Sequence, residues 1–177
     1  RFLRLVRIPS PTRHERGVAD LVMEELRGLA IPVIEDEAGR RLEGDAGNIF
    51  GRVPGSRDDL PTMLFCAHMD TVPTNGEISP HVEGSVVRTD GASILGADDK
   101  CGVAVLLEAL HVLMESRTPH APLDVVFTVG EERGLDGAKA FDTSALRARI
   151  GFALDHSDPT TVVRGAPSKN VLTFTFH

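Results

Sequence analysis

The sequence predicts an α/β fold, a largely parallel twisted sheet with helices on both faces. Two patterns carry that expectation. Short apolar runs bounded by Gly, Pro and Asp alternate with longer segments whose apolar residues recur at three- and four-residue steps, as in βαβ crossovers. Acidic and histidine residues stand at the ends of apolar runs, in Phe65-Cys66-Ala67-His68-Met69-Asp70, Gly96-Ala97-Asp98-Asp99-Lys100, Thr128-Val129-Gly130-Glu131-Glu132 and Ala153-Leu154-Asp155. In open parallel sheets, sites form beyond the carboxyl ends of the strands, so charge placed there points to chemistry.

Each element follows from its residues. Thr12-Arg13-His14-Glu15 has capping-box spacing after Pro11 and predicts a helix start. Val18, Leu21, Val22, Leu26 and Leu29 then make one apolar stripe, bracketed by Gly28 and Pro32. Residues 31–34, 48–53 and 62–67 read as strands between turn-forming clusters, the last apolar enough to be covered on both faces. The longest helix is predicted from Asp98-Asp99, whose carboxylates suit the helix dipole, through Val103, Leu106, Leu107, Leu110, Val112 and Leu113 to about Ser116. Residues 123–129 read as a buried strand, 135–141 as a short helix and 151–155 as a third central strand. After a Gly165-Ala166-Pro167-Ser168 break, the alternation in Val171-Leu172-Thr173-Phe174-Thr175-Phe176 predicts an antiparallel strand opening another domain. The expected division is residues 1–164 for the main domain and 165–177 for the start of the second.

Composition narrows the function. A chain of 177 residues can bury a core as one domain. Its net charge of −7 argues against a nucleic-acid partner, which calls for a basic face. No apolar run approaches the ~20 residues of a membrane span, so no membrane association is expected. Cys66 and Cys101 form neither a CxxC pair nor a disulfide framework, and no secretory signal is visible, which predicts a reducing, cytoplasmic setting.

A histidine in a strand-end turn, followed two residues later by a carboxylate, can bind a metal through one ring nitrogen while an oxygen acceptor holds the other. His68 and Asp70 fit this, although in isolation a hydrogen-bonded core histidine and a turn cap are the stronger reading. Asp98, Asp99 and Lys100 in isolation read as a charged helix start. Glu131 and Glu132 are harder to explain that way, because adjacent carboxylates beside a buried strand repel unless cations or protons relieve them. One can bind metal while its neighbour moves a proton. Asp155, flanked by His156, Ser157 and Asp158, also reads as part of a solvated loop. Cys66 and Cys101 could ligate zinc, but a small buried strand residue explains Cys66. His14, His81, His111, His120 and His177 have no comparable context. Together, the four signals predict one metal centre.

These four motifs, with Thr71-Val72-Pro73 after the first and Cys101-Gly102 after the second, closely resemble in order and context the M20 family of co-catalytic metallopeptidases, nearest its peptidase T-like (tripeptidase-like) branch. The resemblance runs from about Leu3 to the end. It implies a zinc-exopeptidase-like fold, hydrolysis of a peptide bond in short peptides, and two divalent ions, most often Zn2+, with Mn2+ or Co2+ as alternatives. It further implies that Asp98 bridges both ions, that His68 and Asp155 complete one, and that Glu132 binds the other. Asp70 would orient His68. Glu131 would be the general base, taking a proton from the metal-bridging water and delivering it to the leaving amine. The peptide bond after the bridging aspartate is often cis in that family. Members continue into an α+β lid domain that mediates homodimerisation and substrate clamping, and then supply a further histidine to the second ion. Residues 165–177 correspond to the start of that lid, so this 177-residue piece is expected to be inactive alone. The motifs leave an N-acyl amino acid deacylase or a carboxypeptidase open. From other classes, a non-catalytic metal-binding scaffold would need no free base such as Glu131. A nucleotide-binding domain would need a Gly-rich loop after the first strand, which is missing.

Overall fold

The computed structural model describes residues 1–57 and 59–165. The strand expected at 171–176, and with it the second domain, lies outside them. In chain order the elements are α1 (Phe2–Val6), α2 (Arg16–Gly28), β1 (Val33–Glu35), α3 (Ala38–Leu42), β2 (Ile49–Val53), β3 (Met63–His68), β4 (His81–Glu83), β5 (Val86–Arg88), α4 (Ala97–Ser116), β6 (Leu123–Thr128), α5 (Asp136–Ala140) and β7 (Ile150–Ala153). Five strands form one sheet in the order β1-β2-β6-β3-β7, and β4 and β5 form a separate hairpin.

The sheet is mixed. β6, β3 and β7 run parallel, whereas β1 and β2 pair antiparallel at the other edge. A parallel crossover needs a dozen or more residues and usually a helix. No helix joins β2 to β3, so these strands run in opposite senses. Each parallel step to β6 and β7 does contain a helix. The strands bearing the predicted site residues therefore all end at one edge.

One face of the sheet meets the helices. Ile49, Val53, Ala67, Val125 and Phe127 join Val18, Val22 and Leu26 of α2 and Val103, Leu107 and Leu110 of α4 in a single core. Burying these side chains is the main force holding the helices down, at about 1.5–3 kcal/mol each. The opposite face is covered only in part. Phe141 packs on Phe50 with ring centroids 6.1 Å apart. The buried Asp124 carboxylate accepts from Arg52 Nε at 2.9 Å and from the Arg147 and Ala148 amides at 2.7 and 3.0 Å. This covering stops at β6. The expectations that β3 is covered on both faces and that 151–155 is central are both corrected: Leu64 and Cys66 are half-exposed, and β7 is an exposed edge among the described residues.

The capping box does not form. α2 starts after Glu15 without a side-chain cap. The Thr12 hydroxyl instead donates to Asp70 Oδ2 at 2.7 Å, a charge-assisted bond stronger than one to a neutral partner. No described helix is long and apolar enough to cross a membrane.

Buried Asn48 ties the start of β2 to the turn after β6. Its Oδ1 accepts the Val129 amide at 3.1 Å, and its Nδ2 donates to the Gly137 carbonyl at 3.0 Å and to Asp36 Oδ2 at 2.8 Å. Asn48→Ala is expected to cost about 2–3 kcal/mol, because buried backbone groups lose their partners. Chemical denaturation checks this. A loss within ~0.5 kcal/mol, as at an ordinary surface position, would show that these groups rehydrate.

Candidate metal centre

The site lies at the carboxyl edge of the parallel strands. β3 ends in His68, whose ring is buried because the chain turns sharply into Met69 and Asp70. Its Nδ1 lies 2.9 Å from the Asp70 carbonyl oxygen and 3.3 Å from Asp70 Oδ1. A carbonyl oxygen only accepts, so Nδ1 carries the proton there and Nε2 is the ring atom free to coordinate. Nε2 faces Asp98 Oδ1 at 3.1 Å, Asp155 Oδ1 at 3.9 Å and Glu131 Oε2 at 4.0 Å.

Asp98 and Asp99, adjacent in sequence, occupy different surroundings. The peptide bond joining them is cis. The Asp98 side chain is 76% exposed and reaches the His68 ring. Asp99 is buried, with Oδ2 accepting the His68 amide at 3.2 Å and Oδ1 the Gly102 amide at 3.0 Å. Residue 102 must be glycine, since a Cβ there would run into the Asp99 carboxylate and the Leu154 carbonyl.

After β6, Gly130 takes a positive φ of 64°, which glycine tolerates, and turns the chain so that Glu131 and Glu132 face the same edge. Asp70 is fully buried and takes the Glu131 amide on Oδ1 at 2.9 Å and the Glu132 amide on Oδ2 at 3.2 Å. One carboxylate thus braces both the histidine and the acidic turn. Two groups of potential ligand atoms result, His68 with Asp99 and Asp155, and His68 with Glu131 and Glu132, each lying within 4.8 Å of one another.

The structure brings His68, Asp70, Asp98, Glu131 and Asp155 into direct proximity and sets Glu132 beside His68. It leaves Asp98, Cys66 and Cys101 outside both ligand groups, with Asp99 in the group where Asp98 was expected. The sequence reading missed Thr12 and Glu15, which touch the site from behind. Their only signal was the capping-box spacing, which suggests a helix start instead.

Electrostatics suit a cation. Among the described residues no lysine or arginine pairs with Asp98, Glu131, Glu132 or Asp155. Burial raises the carboxyls of Glu131, Glu132 and Asp155; His68 opposes the rise and neighbouring carboxylates add to it. Burial would lower His68, but the hydrogen bond to Asp70 and the charges of Asp70, Asp99 and Asp155 outweigh it and lift the imidazole to about 9. Burial pushes Asp99 up to about 7. A donor set of one imidazole and several crowded carboxylates fits a hard-to-borderline divalent ion.

These shifts predict a pH dependence for the metal-free protein. The imidazolium's contribution to stability is fully present below the ordinary value of 6.5 and is lost as pH rises through about 9. Asp99 acts in the same direction, because the folded state holds its proton up to about 7 and the unfolded state releases it near 3.8. Buried Lys100, lowered by burial to about 8, acts in the opposite sense above that pH, so chelator-treated protein should melt at a lower temperature at pH 8 than at pH 6.5. Bound metal must displace the His68 proton, so metal affinity should rise over the same range, by up to roughly tenfold per unit. Thermal melts with and without zinc check both; a metal-free melt that rises with pH would contradict the assignment.

Comparison with known proteins identifies the family and the fold. The model for peptidase family M28 matches residues 48–160. The YqjE protein of Bacillus subtilis is 39% identical over 169 residues, covering 95% of this chain and 45% of its own length. The crystal structure of aminopeptidase PepT from Bacillus cereus superposes with a TM-score of 0.85 at 38% identity, over 89% of this chain and 42% of that one. A tripeptidase from Staphylococcus aureus gives 0.83 at 38% identity, with coverages of 89% and 42%. The chain thus spans less than half the length of these relatives. The zinc-exopeptidase-like expectation holds, and by the matched family model the chain belongs to peptidase family M28, its motifs and neighbours being those of the peptidase T-like, M20/M28 type.

Proposed function

We propose that the full-length protein hydrolyses peptide bonds in short peptides as a metal-dependent aminopeptidase of tripeptidase type. The observation that carries this reading is one buried imidazole facing crowded carboxylates at the ends of parallel strands, without lysine or arginine partners among the described residues. The peptidase names of the similar proteins support the same substrate class. His68, Asp98 and Asp155 would hold one divalent ion and Asp98 with Glu132 a second, zinc first, Mn2+ or Co2+ otherwise. Asp98 is assigned the shared position over Asp99 because both Asp99 oxygens already accept amide hydrogens. Ions held there lower the pKa of water and offset charge developing on the substrate carbonyl oxygen.

The chain's own residues do the rest. Asp70 holds the His68 ring so that Nε2 is the ligand atom. Glu131 takes the proton of the attacking water and passes it to the leaving amine, a role that its raised pKa suits. The remaining ligand for the second ion, substrate clamping and homodimer contacts belong to a lid and the chain following it in the full-length protein. The setting is cytoplasmic.

The test is a substrate panel. Full-length protein, stripped with chelator and reloaded with zinc, is assayed against tripeptides, dipeptides, N-acyl amino acids and N-blocked peptides. Tripeptides with a free amino terminus should be cleaved fastest. Turnover confined to N-acyl amino acids would make it a deacylase, and metal binding without any turnover would make it a scaffold.

A further inference from the structure

Ahead of α2, residues 8–15 form a strap behind the metal centre, touching three of the four turns that carry the site. The Ile8 carbonyl accepts from the Nζ of buried Lys100, the residue after Asp98 and Asp99 in sequence, at 2.5 Å. Buried Ser10 donates through Oγ to the Met69 carbonyl at 2.9 Å, and its own carbonyl takes the Thr71 amide at 2.9 Å. Thr12 Oγ1 donates to Asp70 Oδ2 at 2.7 Å. Glu15, 1% exposed, accepts the Gly130 amide on Oε1 at 3.2 Å, while its Oε2 has no partner among the described residues.

Three successive amides, those of Gly130, Glu131 and Glu132, are thus donated to two buried carboxylates, Glu15 and Asp70. A buried carboxylate is costly to place, and neither is needed to cap a helix. Asp70 has further work on His68. Glu15 touches no proposed ligand, and its one bond to the site goes to the turn bearing Glu131.

We infer that Thr12 and Glu15 are positioning residues that aim the general base: Glu15 fixes the Gly130 amide, Thr12 fixes the Asp70 carboxylate that holds the next two, and together they set where the Glu131 carboxylate points. This rests on the peptidase reading for its catalytic consequence, but not for its structural one. Substitution should mostly spare KM, since Glu15 is buried and the Thr12 hydroxyl is taken up by Asp70.

The experiment uses the full-length, zinc-loaded protein with Thr12→Val, Thr12→Ser, Glu15→Leu and Glu15→Gln. Loss of an outer partner of a metal site costs about 10–100-fold in activity or metal affinity. Thr12→Val and Glu15→Leu should lower kcat for a tripeptide by that factor, with KM and zinc content near those of the parent. Thr12→Ser, which restores the donor, and Glu15→Gln, which keeps an acceptor oxygen, should recover most of it. Hydrogen–deuterium exchange on the peptide spanning residues 129–133 gives a readout independent of turnover. Thr12→Val should speed exchange there while leaving β3 and β6 protected. If the parent cleaves nothing, the peptidase reading fails, and local exchange still decides the strap. Exchange raised throughout the sheet, kcat unchanged in a folded Thr12→Val, or activity fully restored by excess zinc would each overturn the inference. Thr12→Val is nearly isosteric, so it carries the test even if Glu15→Leu does not fold.

Discussion

Glu131→Gln in the full-length, zinc-loaded protein is expected to lower kcat by roughly 10²–10⁴-fold, the usual contribution of a positioned general base, while metal content stays near that of the parent. The amide keeps the shape of the side chain and cannot accept the water proton. The backbone supports this separation of roles. The Glu131 position is held through its amide by Asp70, so replacing its carboxylate disturbs no bond that holds the turn. Metal analysis beside steady-state kinetics checks it. Equal losses of zinc and activity would make Glu131 a ligand and exchange its role with that of Glu132.

The second large effect separates the two adjacent aspartates. Asp98→Asn should lose more metal affinity than the ~10–100-fold that removing an outer partner costs, because an anionic ligand is lost directly. Its fold should persist, since the side chain is 76% exposed and bonded only to other site residues. Asp99→Asn should do the opposite first. Its carboxylate receives two buried amide hydrogens, and an amide NH2 turned toward either one leaves a donor facing a donor, at about 1–3 kcal/mol. Zinc titration and thermal melts of both variants decide the matter. An Asp99→Asn that melts like the parent but no longer binds zinc would place the shared ligand at residue 99.

The contrast shows why the site was only partly legible. That His68, the aspartate pair, the glutamate pair and Asp155 would meet at one edge could be read from their common placement after apolar runs, because a parallel sheet sends all strand ends the same way. Which of two neighbouring carboxylates faces inward could not be read from periodicity or spacing; only the family resemblance singled out Asp98. Both have the same chemistry, and only the path of the backbone leaves Asp98 exposed beside His68 and buries Asp99. The Thr12 and Glu15 pair illustrates the same limit. Its spacing matches a capping box, yet both side chains found partners more than 50 residues away in sequence.

By itself the sequence determined what depends on local periodicity and order: the amphipathic α2, the long α4, the parallel strands with their charged ends, and the ordered motifs of the peptidase family. Tertiary structure alone decided what depends on competition between distant partners. The antiparallel β1 and β2 edge arises because the links β1–β2 and β2–β3 lack a long enough crossover helix. Residues 141–148 cover the outer face of the sheet only as far as Asp124 on β6, and among the described residues β7 is the edge strand. The bracing of Glu131 from behind arises because two buried carboxylates satisfy three consecutive amides that no local element could serve.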